Sequence, residues 1–157
     1  MKSAQIVDRH LLGAVVKLAV ESPRLRKNYN FHLADNDASH RLLNAMEPDS
    51  YIQPHCHADV SKDETIIVLQ GKLGAVFFDA TGTVSSQALL EPGGEVVGVN
   101  IPHGVFHTLL ALVPGSVFFE SKAGPYVVLT SAEKAAWAPA ENDSQVSHYL
   151  AELKRLF

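Results

Sequence analysis

A chain of 157 residues is about one domain's worth of polypeptide, and can bury roughly 70 % of its unfolded surface without a disulfide or structural metal. Hydrophobic residues make up 46 % and charged residues 19 %, a composition that excludes wholesale disorder. The net charge of −4 argues against a nucleic-acid scaffold and a polybasic membrane anchor, both of which need a basic surface.

The elements read in chain order as helix, many short strands, helix. Asp8 is placed to cap a helix, and Leu11, Leu12, Val15, Val16, Leu18 and Ala19 recur at helical spacing, predicting one amphipathic helix over about 8–21. The period then changes to two. In the stretch 25–33, Arg26, Asn28, Asn30 and His32 are polar, while Leu25, Tyr29, Phe31 and Leu33 are largely apolar. That alternation predicts a strand with one wet and one dry face.

Nine further apolar runs follow, at 41–46, 51–57, 65–70, 73–78, 84–90, 96–101, 105–113, 117–120 and 126–129, separated by Gly-, Pro- and Asp-containing turns. Such spacing predicts an antiparallel sandwich or barrel over about 25–130. A second helix is expected over about 143–157, with Val146, Tyr149, Leu150, Leu153 and Leu156 on one face. The single domain is thus expected to span 1–157. Phe106, Thr108, Leu110 and Leu112 give the strand around His107 a second largely apolar face, which a helix or second subunit must cover.

Compartment follows from absences. No apolar run of 18 residues and no signal-peptide core are present, and the lone Cys56 cannot form an internal disulfide. A cytoplasmic protein is expected.

The compositional excess is histidine, 8 residues of 157. On a strand, His55 and His57 point the same way and Cys56 points oppositely. Two imidazoles so placed can reach one metal ion, although two solvent-facing histidines would look the same. Glu64 opens the next run, and Pro102-x-Gly104-x-x-His107 puts a further imidazole just past a turn. Three imidazoles and one carboxylate suit Zn, Fe, Mn, Ni or Cu, with positions left open for water or substrate. Asp59 and Asp63, in the loop before Glu64, compete with it for the carboxylate role.

Here the pattern resembles a known superfamily. His55-x-His57…Glu64-x6-Gly71 is similar to the first cupin motif, and Pro102-x-Gly104-x2-His107 to the second. The stretches 23–32, 41–45 and 114–120, with Gly124-Pro125-Tyr126, resemble the WbuC family, small cupin-fold metalloproteins associated with bacterial polysaccharide gene clusters. The resemblance covers roughly residues 5–138. It implies an all-β cupin barrel (a double-stranded β-helix or jelly roll) with flanking helices, a homodimer, and one divalent metal held by His55, His57, Glu64 and His107. Six residues separate His57 from Glu64, where cupins usually have three or four. Ala111 stands four residues after His107, at a position where cupins carry asparagine, which would widen the pocket.

Around that centre, Gln53 and Tyr51 are expected on the face of His55 and His57. Arg26, Asn28, Asn30 and His32 offer a wet face for an anion such as a phosphate or carboxylate. The plain alternative for Arg24, Arg26 and Lys27 is compensation of the helix dipole. His32 and His40 read better as structural or surface histidines than as metal ligands, His103 as an exposed turn residue, and Cys56 as a packing residue. No G-x-G-x-x-G, P-loop or G-x-S-x-G segment occurs, which removes the usual nucleotide loops and the nucleophile elbow. The expected partner is a small polar molecule, a sugar or sugar-derived acid, with neither nucleic acid nor membrane involved. The alternative is a metal-dependent enzyme of the isomerase, epimerase or iron-dioxygenase kind.

Overall fold

The computed structural model describes residues 3–157. Helix α1 (Arg9–Glu21) starts at Asp8, whose side chain accepts from the backbone N–H of Leu11, the cap the sequence predicts. Eight strands follow: β1 (Arg26–Asn30), β2 (Ser39–Met46), β3 (Glu64–Gln70), β4 (Leu73–Phe78), β5 (Val84–Leu90), β6 (Gly98–Ile101), β7 (Phe106–Ala111) and β8 (Ser116–Ala123). Helix α2 (Val146–Lys154) closes the chain. The strands form a five-stranded sheet, in the order β1-β2-β8-β3-β6, and a three-stranded sheet, β5-β4-β7. Every pairing is antiparallel.

Strand alternation builds three apolar layers. Met46, Ile66, Val68, Leu73, Ala75, Leu109 and Phe118 point between the sheets and form the central core. Leu43, Ala45 and Val117, one position out of phase, meet Leu12, Val15 and Ala19 of α1 on the outside of the larger sheet. On the outside of the smaller sheet, Val76, Phe78 and Leu110 pack on Leu150 and Leu153 of α2. The second apolar face of the His107 strand is therefore covered by the C-terminal helix. Phe157 lies against β4 so closely that a Cβ on Gly74 would sit 2.4 Å from its ring, which explains a glycine in mid-strand.

Three expected strands differ. Residues 51–57 form no regular strand: Pro54 has no N–H to donate, and the backbone pairing with β7 is the isolated bridge His55–His107, with a side-chain bond from Thr108 to the Ile52 carbonyl beside it. Residues 126–129 form none either. Tyr126, Val127 and Val128 stand exposed there, tied by the bond from Tyr126 N–H to the Asp35 carbonyl. The strand expected over 25–33 is shorter, because Leu25 sits at φ 52° and the sheet pairing ends at Asn30. Beyond that end, Leu33 is exposed and His32 is buried, the reverse of the wet and dry faces expected there.

Candidate metal centre

Four side chains converge at one end of the space between the sheets. Glu64, the first residue of β3, points inward in phase with Ile66 and Val68. His107 points inward from β7 on the facing sheet. His55 and His57 come from the irregular segment beside β7, which His55 joins by backbone bonds in both directions with His107. Gly104, at φ 78°, makes the turn before His107, a conformation that favours glycine. One ligand atom from each of His55, His57, Glu64 and His107 lies within 4.8 Å of all the others.

The hydrogen bonds prepare these rings for a metal. His55 Nδ1 donates to the Gln53 carbonyl at 3.0 Å, and His107 Nδ1 donates to the Val105 carbonyl at 2.9 Å. Tying Nδ1 to a carbonyl fixes the ring and leaves Nε2 for the ion. Glu64 Oε1 lies 2.6 Å from His107 Nε2, while Glu64 Oε2 lies 3.6 Å from His57 Nε2, beyond hydrogen-bonding distance. His57 Nε2 is buried with no hydrogen-bond partner. An orphaned nitrogen facing two imidazoles and a carboxylate is what a resident ion would satisfy, so the residues present fit a divalent transition metal.

Electrostatics agree. Burial, reinforced by the neighbouring His107, pushes the His55 pKa down to about 3, so its imidazole is neutral and able to ligate. Burial pushes the Glu64 carboxyl up, but the His107 ring nitrogen at 2.6 Å, the nearby His57 ring and the charge of Lys122 outweigh it and hold Glu64 well below the usual range. The competing carboxylates are elsewhere. Asp59 accepts from Ser61, and Asp63 accepts from His103 at 2.8 Å, with both Asp63 and His103 substantially exposed.

The other named residues divide. Arg26, together with His55, Glu64 and His107, lines an inner cavity of about 110 Å³. Asn28, Asn30 and His32 line a larger space of about 440 Å³ that Arg26 and Lys122 share. Within it His32 stacks on His40 at 3.9 Å. Gln53 lines the outer mouth beside His55, a cavity of about 480 Å³, and donates to the Ala135 carbonyl. Tyr51 is a correction. With no regular strand over 51–57, parity fails: its side chain packs in the α2 layer and its hydroxyl donates to the Pro139 carbonyl at 2.8 Å.

Sequence reasoning missed two charged residues of the site. Lys122 Nζ lies 2.6 Å from Glu120 Oε1 and 3.5 Å from Glu64 Oε2. Asn44 donates to the other Glu120 oxygen at 2.8 Å. The signal was parity: Glu120 and Lys122 share the inward side of β8 with Phe118, whereas Val117 packs outward under α1. Burial lowers the Lys122 pKa, but Glu120 and Glu64 more than reverse this and keep it a cation.

A family model described as a domain of unknown function (DUF6016) matches residues 7–90, more than half of the chain and including His55, His57 and Glu64. The chain belongs to DUF6016. No curated protein matches it. Among solved structures, this DUF6016 chain is similar to KdgF from Halomonas sp. at 18 % identity and a TM-score of 0.52, over 68 % of this chain and 84 % of that one. It is also similar to the conserved SPY1581 protein of unknown function from Streptococcus pyogenes, at 11 % identity and a TM-score of 0.52, over 81 % and 93 %. A cupin-2 domain protein from Shewanella frigidimarina aligns at 22 % identity and a TM-score of 0.47, over 62 % and 80 %. Likeness to KdgF and SPY1581 at such identities speaks to fold alone, and the two facing antiparallel sheets of this DUF6016 chain are those of the cupin β-barrel.

Proposed function

We propose that this protein is a metal-binding cupin whose open coordination positions take a small polar ligand, a sugar or sugar-derived acid. One observation carries the metal: the buried, unpartnered His57 Nε2 facing three other ligand atoms. His55, His57, Glu64 and His107 would hold the ion, which supplies Lewis acidity to a ligand oxygen when bound. Zn, Fe, Mn and Ni all suit this donor set. Polar side chains supply the rest of the ligand site: Arg26 and Asn44 beside the inner cavity, and Asn28 and Asn30 further out. A combined space of this kind matches small-molecule sites in size.

The resemblance to the WbuC family supports a place in bacterial polysaccharide metabolism and a homodimer, and the lone Cys56 supports work in the reducing cytoplasm. The test is elemental analysis of untagged protein purified without added metal, then a calorimetric screen with sugars and sugar acids. Less than about half an equivalent of any transition metal would reject the reading.

A second reading, metal-dependent catalysis of the isomerase, epimerase or dioxygenase type, has one observation in its favour. Glu120 and Lys122 stand as a charged pair beside Glu64 and the inner cavity, where one could accept and the other deliver a proton. Metal-loaded protein with a ligand from the screen, in D2O, decides by NMR. Deuterium at a ligand carbon, or a new product, favours isomerisation or epimerisation, and oxygen consumption favours a dioxygenase. An unchanged ligand with no oxygen uptake favours the binding module.

A further inference from the structure

At the cavity mouth, one carboxylate is held by two guanidinium groups. Arg24 Nε donates to Glu141 Oε2 at 3.0 Å and Arg24 Nη2 to Oε1 at 2.7 Å. Arg26 Nη2 donates to the same Oε1. Arg24 lies in the turn from α1 into β1 and Arg26 opens β1, and Glu141 arrives from more than a hundred residues away, on irregular chain before α2. Arg26 is fixed from behind, since its Nη1 donates to the Tyr51 carbonyl at 2.8 Å. It lines both the mouth and the inner cavity that His55, Glu64 and His107 face.

The charges at the mouth do not balance. Arg24, Arg26 and Lys134 line it against Glu141 alone, a local excess of positive charge in a chain of net charge −4. A paired arginine fork matches the planar geometry of a carboxylate. Glu141 is also replaceable: its side chain is 33 % exposed and that of Arg24 is 62 % exposed, so water and solutes reach the pair.

We propose that Arg24 and Arg26 form a carboxylate subsite at the mouth of the metal cavity and that Glu141 is its built-in competitor. The ligand class is then a small polyhydroxy acid. Its carboxylate displaces Glu141, and its hydroxyl-bearing carbons extend past Arg26 toward the histidine cluster. This deepens the ligand half of the proposed function and rests on it. An internal competitor reduces apparent affinity by the fraction of time it occupies the site. Removing its charge therefore strengthens acid binding and leaves a neutral polyol unaffected.

The probes are D-gluconate and D-glucitol, which share a carbon chain and differ in one carboxylate. Both are titrated by calorimetry into metal-loaded and chelator-stripped protein, wild type and Glu141→Gln. The expected result is gluconate binding about tenfold tighter in Glu141→Gln, with glucitol unchanged. Adding Arg24→Gln, at an exposed position that spares the core, removes the gain, and Arg26→Lys weakens gluconate because an ammonium cannot hold the Tyr51 carbonyl and the carboxylate in the guanidinium's fixed geometry. Gluconate binding that is absent in Glu141→Gln, or no tighter than in wild type, overturns the subsite, as does a gain that survives Arg24→Gln. Metal content measured on the same samples separates the two ideas. Protein that takes up no metal yet shows the gain keeps the subsite and loses the metal reading, while protein that loads with metal and lacks the gain does the opposite.

Discussion

A buried polar atom left without a partner costs about 1–3 kcal/mol, and His57 Nε2 is such an atom. His57→Ala removes one of three imidazoles and should reduce bound metal to well below one equivalent by elemental analysis. A full equivalent in that variant would mean the ion sits elsewhere. Glu64→Gln should weaken metal binding by about 10-fold or more, whereas Asp59→Asn and Asp63→Asn should leave it unchanged, since those carboxylates serve Ser61 and His103. A chelator titration ranks the three. The His-x-His pair, Glu64 and His107 were readable because metal chemistry restricts residue type, and the structure brings all four together. Tyr51 was misplaced by a parity argument that a bridge-only segment does not obey. Glu120 and Lys122 were passed over because a charged pair on a strand reads as a solvated face until the opposite sheet is known.

Where turn chemistry is strong, the elements are legible. The Gln-Gly-Lys turn at 70–72 bounds β3 and β4, Ala-Thr-Gly-Thr at 80–83 bounds β4 and β5, and both ends of β4 and β5 fall where the apolar runs do. The runs 51–57 and 126–129 carry the same apolar pattern without becoming strands, because pairing partners are decided by the whole barrel and not by local propensity. Helix α2 is the converse case. Its apolar face was legible, and what it covers needed the fold: Val76, Phe78 and Leu110 on the outside of the smaller sheet. Leu153→Ala should therefore destabilise the protein by about 3 kcal/mol, read as a lower midpoint in urea. Metal stoichiometry at neutral pH should stay unchanged, because this layer lies on the side of β7 opposite His107. Metal loss at a concentration of urea where the variant is still folded would show that α2 supports the site directly.

At the scale of the whole molecule, the metal residues join distant parts of the chain. Glu64 comes from the larger sheet, His107 from the smaller one, and His55 and His57 from the segment beside it. An ion bound to all four stabilises only the folded arrangement, by roughly 2.7 kcal/mol when free metal is 100 times its dissociation constant. Two pH effects then act together. Burial holds the folded His55 pKa at about 3, against about 6.5 in the unfolded chain, so below about pH 6.5 the unfolded state binds a proton that the folded state refuses. Stability of the metal-free protein is therefore highest above that pH and falls as acid is added. Protons also compete with metal for the ligand side chains, so the metal's own contribution fades as acid is added. Melting temperatures measured with and without chelator from pH 7.5 to about 4.5, the interval in which imidazoles charge, should start well separated and converge. The metal-free curve should decline throughout, and the metal-loaded curve should fall faster and meet it. A gap that holds constant to the acid end would mean that the stabilising ion is not held by histidine.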